Sequence, residues 1–287
     1  MQGVREKTSR GTPDFPFHLY SFKTGTVNVT YHWHPEIEIV YLKKGEFTVT
    51  INNESFRAHS GDVIFANSGE LHSMNQNDGE VCFYSAVFYP QLLDFNSKNP
   101  FQRSVLEPLK KGRLCMPRLL SEGDECYSEV KKQFLRIIEA NKTDFPYAEQ
   151  MIALYEILLA LYKDGRLFSA SIDVDEAENI EIIKNTIAYI DEHISEKITL
   201  KELADCANMS EKYFCSFFSE QTGSTPIEYV NRLRVEKACE MLKMHKTSVT
   251  DAALETGFES LSYFIRRFKR QMGVSPSQYK KQNSKNG

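Results

Sequence analysis

Shifted by 50 residues against itself, the C-terminal third of the chain meets a second copy of itself, and this repeat limits the fold more than any other feature. Ser210, Tyr213, Phe214, Phe218, Gln221, Gly223, Pro226 and Tyr229 recur as Ser260, Tyr263, Phe264, Phe268, Gln271, Gly273, Pro276 and Tyr279, eight identities over the 20 positions 210–229. A solenoid needs three or more stacked units, so two copies mean a duplicated small module. Each copy reads as a short helix, a tight turn, Ser as N-cap, an amphipathic helix and Gly as C-cap. The helices are expected at 200–206 and 211–222 in the first copy and at 249–256 and 261–272 in the second. A long helix over 227–244 stands between them.

Helix, turn, helix is the layout whose second helix can lie in a DNA major groove. Phe214, Phe217 and Phe218 fall on the inner face of the first reader, Phe264 and Phe268 on that of the second. The outer faces supply the candidate DNA contacts. These are Lys212, Cys215, Ser216 and Ser219 in copy one, and Ser260, Leu261, Ser262, Arg266, Lys269 and Arg270 in copy two. Under the repeat, Ser216 corresponds to Arg266, Ser219 to Lys269 and Glu220 to Arg270. Copy two therefore carries three positive charges that copy one lacks, and Arg can grip guanine or phosphate with two parallel hydrogen bonds.

Charge follows the same division. Residues 1–179 hold 19 Lys/Arg against 25 Asp/Glu, a net −6, whereas 180–287 hold 16 against 14, a net +2. Beyond Glu259 come seven bases and no acid. A polyanion would meet the second part. No apolar run reaches the roughly 18 residues of a membrane span; the longest candidate, 153–162, is interrupted by Glu156. The N-terminus has no apolar signal core. The six cysteines are scattered with no C-x-x-C pair, which reads as reduced thiols in a cytoplasmic protein without a membrane partner.

From 17 to 89 the pattern is that of strands. TVNVTYH, EIEIVYL, EFTVTI and GDVIFAN are short, β-branched and aromatic, with turn pairs Lys44-Gly45, Asn52-Asn53, Ser60-Gly61 and Ser68-Gly69 between or after them. Many short strands at such spacing predict an antiparallel barrel or sandwich. Two amphipathic helices follow. Val130, Phe134, Ile137 and Ile138 mark the first, Ile152, Tyr155, Leu158, Leu159 and Tyr162 the second. They either pack on the barrel or form a dimer seam. The expected organisation is α+β: a barrel over 1–95, a helical dimerisation or packing region over 96–164, a polar linker over 165–179 and an all-α tandem helix-turn-helix domain over 180–287.

Four of the seven histidines lie between residues 32 and 72. His32 and His34 share one face of a strand of period two, and Glu38 can join them if no bulge intervenes at Pro35. The spacings Gly25-x6-His32-x-His34-x3-Glu38-x6-Gly45 and Gly61-x5-Asn67-x-Gly69-x2-His72 resemble the two motifs of the cupin barrel. That resemblance implies a site of three histidines and one carboxylate at His32, His34, Glu38 and His72. It also implies Pro where this chain has Asn67. Such a set with an open position suits Zn, Fe, Mn or Ni. The same groups without metal can hydrogen-bond a polyol or carboxylate effector, and a relic polar cluster is the third alternative.

The segments ITLKELADCANMSEKYFCSFFSEQTGSTPIEYVNRLRVEKACEML and VTDAALETGFESLSYFIRRFKRQMGVSPSQYKK resemble, over roughly 180–282, the C-terminal domain of AraC/XylS-type transcription regulators. The resemblance implies sequence-specific binding to double-stranded promoter DNA, activation through RNA polymerase and a homodimer. It also implies a cupin-like N-terminal sensor for a small molecule such as a sugar. Members often carry Arg where the first reader here has Ser216. The rival reading is a cupin metalloenzyme, a dioxygenase or isomerase with a helical appendage, which leaves the repeat without a purpose.

Overall fold

The computed structural model describes residues 15–25, 27–76, 79–95, 97, 99–170, 174–243 and 247–283. The start of the 1–95 region, linker residues 171–173, Met244 and the tail from 284 lie outside them. The chain forms two compact units that meet in sequence between Val174 and Asp175.

The first unit is the expected antiparallel β-structure. Its strands are β1 (Phe17–Thr24), β2 (Val27–His32), β3 (Ile37–Lys44), β4 (Glu46–Ile51), β5 (Glu54–His59), β6 (Val63–Ala66), β7 (His72–Gln76) and β8 (Val81–Phe88). Two short strands, β9 (Leu114–Cys115) and β10 (Leu119–Leu120), follow a helical stretch ending in α1 (Glu107–Lys110). One sheet runs β1-β8-β3-β6-β10 and a second β2-β7-β4-β5. Strand β3 explains how they pack. Ile37, Ile39 and Tyr41 join the core under the helices, while Val40 and Leu42 join the core between the sheets. A strand with apolar partners on both faces loses polar alternation, hence the near-continuous run IEIVYL. Glu38 lies on the inter-sheet face with Val40 and Leu42, a polar position that needs partners.

Helices α2 (Tyr127–Glu139) and α3 (Pro146–Lys163) cover the five-stranded sheet. Val130, Phe134, Ile137, Ala153, Leu154, Ile157, Leu158 and Leu161 share one core with Ile39, Phe65 and Phe88. Both amphipathic helices of the 96–164 region thus pack on the barrel, as expected of at least one of them. The expected face of α3 needs correction. Its buried residues are Gln150, Ala153, Leu154, Ile157, Leu158 and Leu161, whereas Ile152 and Tyr162 stand outside. The helix is apolar on two faces, so periodicity alone picks either. The linker is shorter than its composition suggests. Phe168–Ser169 forms β11, paired antiparallel with β9, and α4 (Val174–Glu192) begins five residues before the expected end of the linker at 179.

The second unit contains α4, α5 (Leu200–Cys206), α6 (Glu211–Thr222), α7 (Pro226–Lys243), α8 (Val249–Glu255), α9 (Leu261–Met272) and α10 (Pro276–Asn283). The repeat is therefore three helices long, α5-α6-α7 and α8-α9-α10, with Pro opening the third helix of each. Ser210 and Ser260 accept hydrogen bonds from the Tyr213 and Tyr263 amides, and Gly223 and Gly273 close the readers at φ 70° and 73°. Phe214, Phe218, Phe264 and Phe268 are fully buried. Removing one such ring typically costs about 3–5 kcal/mol. Gly257, in the second turn at φ +79°, leaves no room for a side chain. A Cβ there would come 2.5 Å from the Ile194 carbonyl and 2.8 Å from the Arg234 guanidinium.

Candidate functional site

The four barrel residues come together. His32 ends β2, His72 opens β7 and pairs with it beyond a register shift after Val29, His34 follows two residues on, and Glu38 reaches them from β3 of the other sheet. One potential ligand atom from each lies within 4.8 Å of all the others, and His34, Glu38 and His72 are buried. Pro35 does not separate them.

Hydrogen bonds fix the chemistry of this cluster. His32 Nδ1 faces the Thr30 carbonyl at 2.8 Å, His34 Nδ1 the Glu36 carbonyl at 3.2 Å, and His72 Nδ1 the Glu70 carbonyl at 2.9 Å. A carbonyl only accepts, so each Nδ1 carries a proton and donates, which leaves the Nε2 of each ring for the other members of the cluster. His34 Nε2 and His72 Nε2 lie 3.3 and 3.1 Å from the same atom, Glu38 Oε2. Glu38 is held ionised. Burial pushes its carboxyl up, but the contacts with His34 and His72 outweigh that and keep it well below the usual range. Burial, then the neighbouring His72 and His34, hold His32 well below its usual value, which favours the neutral ring. Three rings and a carboxylate thus converge within 4.8 Å of one another, where a bound cation would replace the ring protons and be shared by all four. Backbone carbonyls behind each ring are the support that orients metal-ligating histidines. Ser85 donates to Glu38 Oε1 at 2.5 Å and fixes the carboxylate plane. The sequence reading missed Ser85; its signal was a lone hydroxyl at an inward position of VCFYSAVF, in step with Val81 and Phe83.

Asn67 departs from the motif for a visible reason. Its amide Nδ2 donates to the Met116 carbonyl at 3.1 Å, and its Oδ1 accepts from the Met116 amide at 2.8 Å. Its own backbone N–H donates to Glu70 Oε2 at 2.8 Å, which proline could not do.

On the helical unit, the candidate DNA contacts sit as expected on the outer faces. Lys212, Ser216, Leu261, Ser262, Arg266, Lys269 and Arg270 are exposed, and Cys215 and Ser219 half-buried. Two are already engaged. Ser260 caps α9, and the Ser219 hydroxyl donates to the Cys215 carbonyl at 2.6 Å. Arg266 lies over the Tyr263 ring at 5.3 Å. Arg267 pairs with Glu228 at 2.8 Å, and Arg270 lies 4.0 Å from the same carboxylate. The positive charge least tied to a neighbouring acid is therefore at Arg266 and Lys269. Among the described residues no helix is long and apolar enough to cross a membrane.

Known proteins agree with this division. A cupin domain family matches residues 18–87 and a helix-turn-helix domain family 203–282. The HTH-type transcriptional regulator YdeC of Bacillus subtilis (strain 168) is 30% identical over 99% of this chain and 98% of its own length. The HTH-type transcriptional activator RhaS of Citrobacter koseri is 24% identical over 85% of each chain. The crystal structure of ToxT from Vibrio cholerae O395 has the same fold, with a TM-score of 0.51 and 16% identity over 92% of this chain and 96% of that one. YdeC and RhaS are named as transcriptional regulators, so the enzyme alternative gains nothing from them.

Proposed function

The chain belongs to the AraC/XylS-type helix-turn-helix transcriptional regulators with an N-terminal cupin domain, and on that premise we propose that the barrel binds a divalent metal through His32, His34, Glu38 and His72 and there senses a small oxygen-rich effector. The observation that carries this reading is the convergence of three imidazoles and one carboxylate within 4.8 Å of one another, with each Nδ1 committed to a backbone carbonyl. The donor set suits Zn, Fe, Mn or Ni. When bound, such an ion supplies a Lewis-acid position open to an oxygen of a polyol, a sugar among them, or of a carboxylate. The residues do the rest. The carbonyls of Thr30, Glu36 and Glu70 hold the rings in one tautomer, and Ser85 holds the carboxylate. An effector acts by favouring one state of the chain over another, and only to the extent that it binds the two differently.

Helices α6 and α9 read double-stranded promoter DNA through Lys212, Cys215, Ser216, Ser219, Ser260, Leu261, Ser262, Arg266, Lys269 and Arg270. The exposure of their outer faces supports this. The activator name of RhaS supports activation, which works through RNA polymerase. A homodimer is supported by α3. Ala148, Ile152, Leu159 and Tyr162 stand along its outer side at spacings of four, seven and three, a seam-like stripe, while Tyr155 between them stacks on Phe95 and donates to the Leu93 carbonyl.

Elemental analysis of protein purified without chelator tests the barrel assignment. About one ion per chain is expected, lost in His34→Ala. Metal-free protein whose effector response still disappears in His34→Ala would replace the metal by direct hydrogen bonding.

A further inference from the structure

We propose that Asn67 transmits occupancy of the histidine–glutamate cluster to the strand pair β9–β11, the last described pairing before the DNA-binding unit. This rests on the sensing role assigned to the cluster and names how its state leaves the barrel.

The turn 67–70 is built into the cluster. The Glu70 carbonyl holds His72 Nδ1 at 2.9 Å, the Gly69 amide donates to the His34 carbonyl at 2.9 Å, and the Ser68 hydroxyl donates to the Pro35 carbonyl at 2.7 Å. The ring of His72 and the main chain of His34 are thus fastened to the same four-residue turn. Ligands that draw His34 and His72 together act on that turn through bonds on both of its sides. Glu70 then ties the turn to Asn67, its Oε2 accepting from both the Asn67 amide and Nδ2.

On its other side Asn67 pairs with the main chain of Met116 as a neighbouring strand would, donating to its carbonyl and accepting from its amide. Both residues are buried, Met116 completely. These main-chain groups therefore depend on the Asn67 amide rather than on water, and a shift of the turn carries the segment with it. The next residue back, Cys115, pairs with Phe168, Leu114 pairs with Ser169, and the Ala170 amide donates to the Arg113 carbonyl at 3.1 Å. Ala170 lies five residues before Asp175, where the second unit begins. The β11 side chains are exposed and bury little against the barrel, so backbone pairing largely holds this strand. Strands held this way open at low free energy and respond to small displacements of their partner.

Hydrogen exchange on the full chain, with Zn2+ alone as probe, tests the route. In the wild type, Zn2+ should slow exchange in peptides spanning 113–118 and 166–170 by about fivefold or more, the scale of an ordinary coupling. Asn67→Ala should bind Zn2+ within about threefold of wild type yet lose the response of both peptides. Should Asn67→Ala fail to fold, Ala170→Pro, which removes the amide that donates to the Arg113 carbonyl, keeps the test open. It should retain the response at 113–118 and lose it at 166–170. A wild-type chain that binds Zn2+ with no change at 166–170 overturns the inference, as does an unchanged response in Asn67→Ala with Zn2+ bound. A wild-type chain that takes up no Zn2+ in the same titration overturns the metal assignment itself, and with it the route.

Discussion

Arg266 carries the sharpest residue-level expectation for DNA. It is exposed on the outer face of α9, lies over Tyr263, and occupies the position held in α6 by Ser216. A guanidinium there can hold guanine with two hydrogen bonds, whereas a serine hydroxyl makes one short contact. Arg266→Ala should weaken binding by about 1–3 kcal/mol and relax preference at one base position. Lys269→Ala should weaken all sequences alike and lower the salt slope by about one, and Ser216→Ala should matter less than either. Titrating the three variants on one duplex at several salt concentrations decides this; a larger loss in Ser216→Ala would make α6 the main reader. In the barrel, Ser85→Ala frees the Glu38 carboxylate from its only bond outside the rings among those described. Loss of such support typically lowers metal affinity about 10–100-fold, which chelator competition measures; unchanged affinity would mean the rings alone fix the site. The grouping of His32, His34, Glu38 and His72 was legible through its resemblance to the cupin motifs, and the structure brings the four together. Ser85 and the pairing of Asn67 with Met116 were not legible, because both bring together residues 47 and 49 positions apart with no local pattern to mark them.

At the scale of elements, local chemistry carried the helices. Ser210, Ser260, Gly223 and Gly273 stop and start the readers as their cap preferences require, and the expected limits of α5, α6 and α9 agree with the structure. Ser260→Ala should therefore lower the stability of the helical unit by about 1 kcal/mol in urea unfolding, apart from any effect on DNA. An unchanged midpoint would show that the Tyr263 amide finds another acceptor. Helix α3 shows where periodicity stops being informative. Leu158 lies at the junction of two apolar faces, and the structure assigns it to the core. Ile152 and Tyr162, 45% and 55% exposed, are the residues that test a seam. Ile152→Glu combined with Tyr162→Glu should give a folded monomer by sedimentation, and a folded dimer would move the interface elsewhere. Strands β9 and β11 escaped the sequence because two residues carry no period. Their pairing is set by the chain that Asn67 holds.

Across the whole molecule, the bases gather late in the chain, with 180–287 at net +2 against −6 for 1–179. One unit has a cluster of three histidines and a glutamate between its sheets, the other a duplicated helix-turn-helix module with bases beyond Glu259. The helical unit has its own core around Phe264, Phe268, Val235 and Leu242. Residues 175–287 should therefore fold and bind DNA alone in a mobility-shift titration, without response to metal; a folded fragment with no sequence preference would place part of the readout in the other unit. Sensing needs both units and is tested most directly on the full chain. Its affinity should be measured for a duplex that the wild type selects from random sequence, metal-stripped and Zn2+-loaded, beside Glu38→Gln. The affinities of the two wild-type forms should differ by about 5–150-fold, the range of ordinary coupling energies, and Glu38→Gln should show one affinity under both conditions. Equal affinities for stripped and loaded wild type, with Zn2+ shown to be bound, would contradict a regulator governed from this cluster.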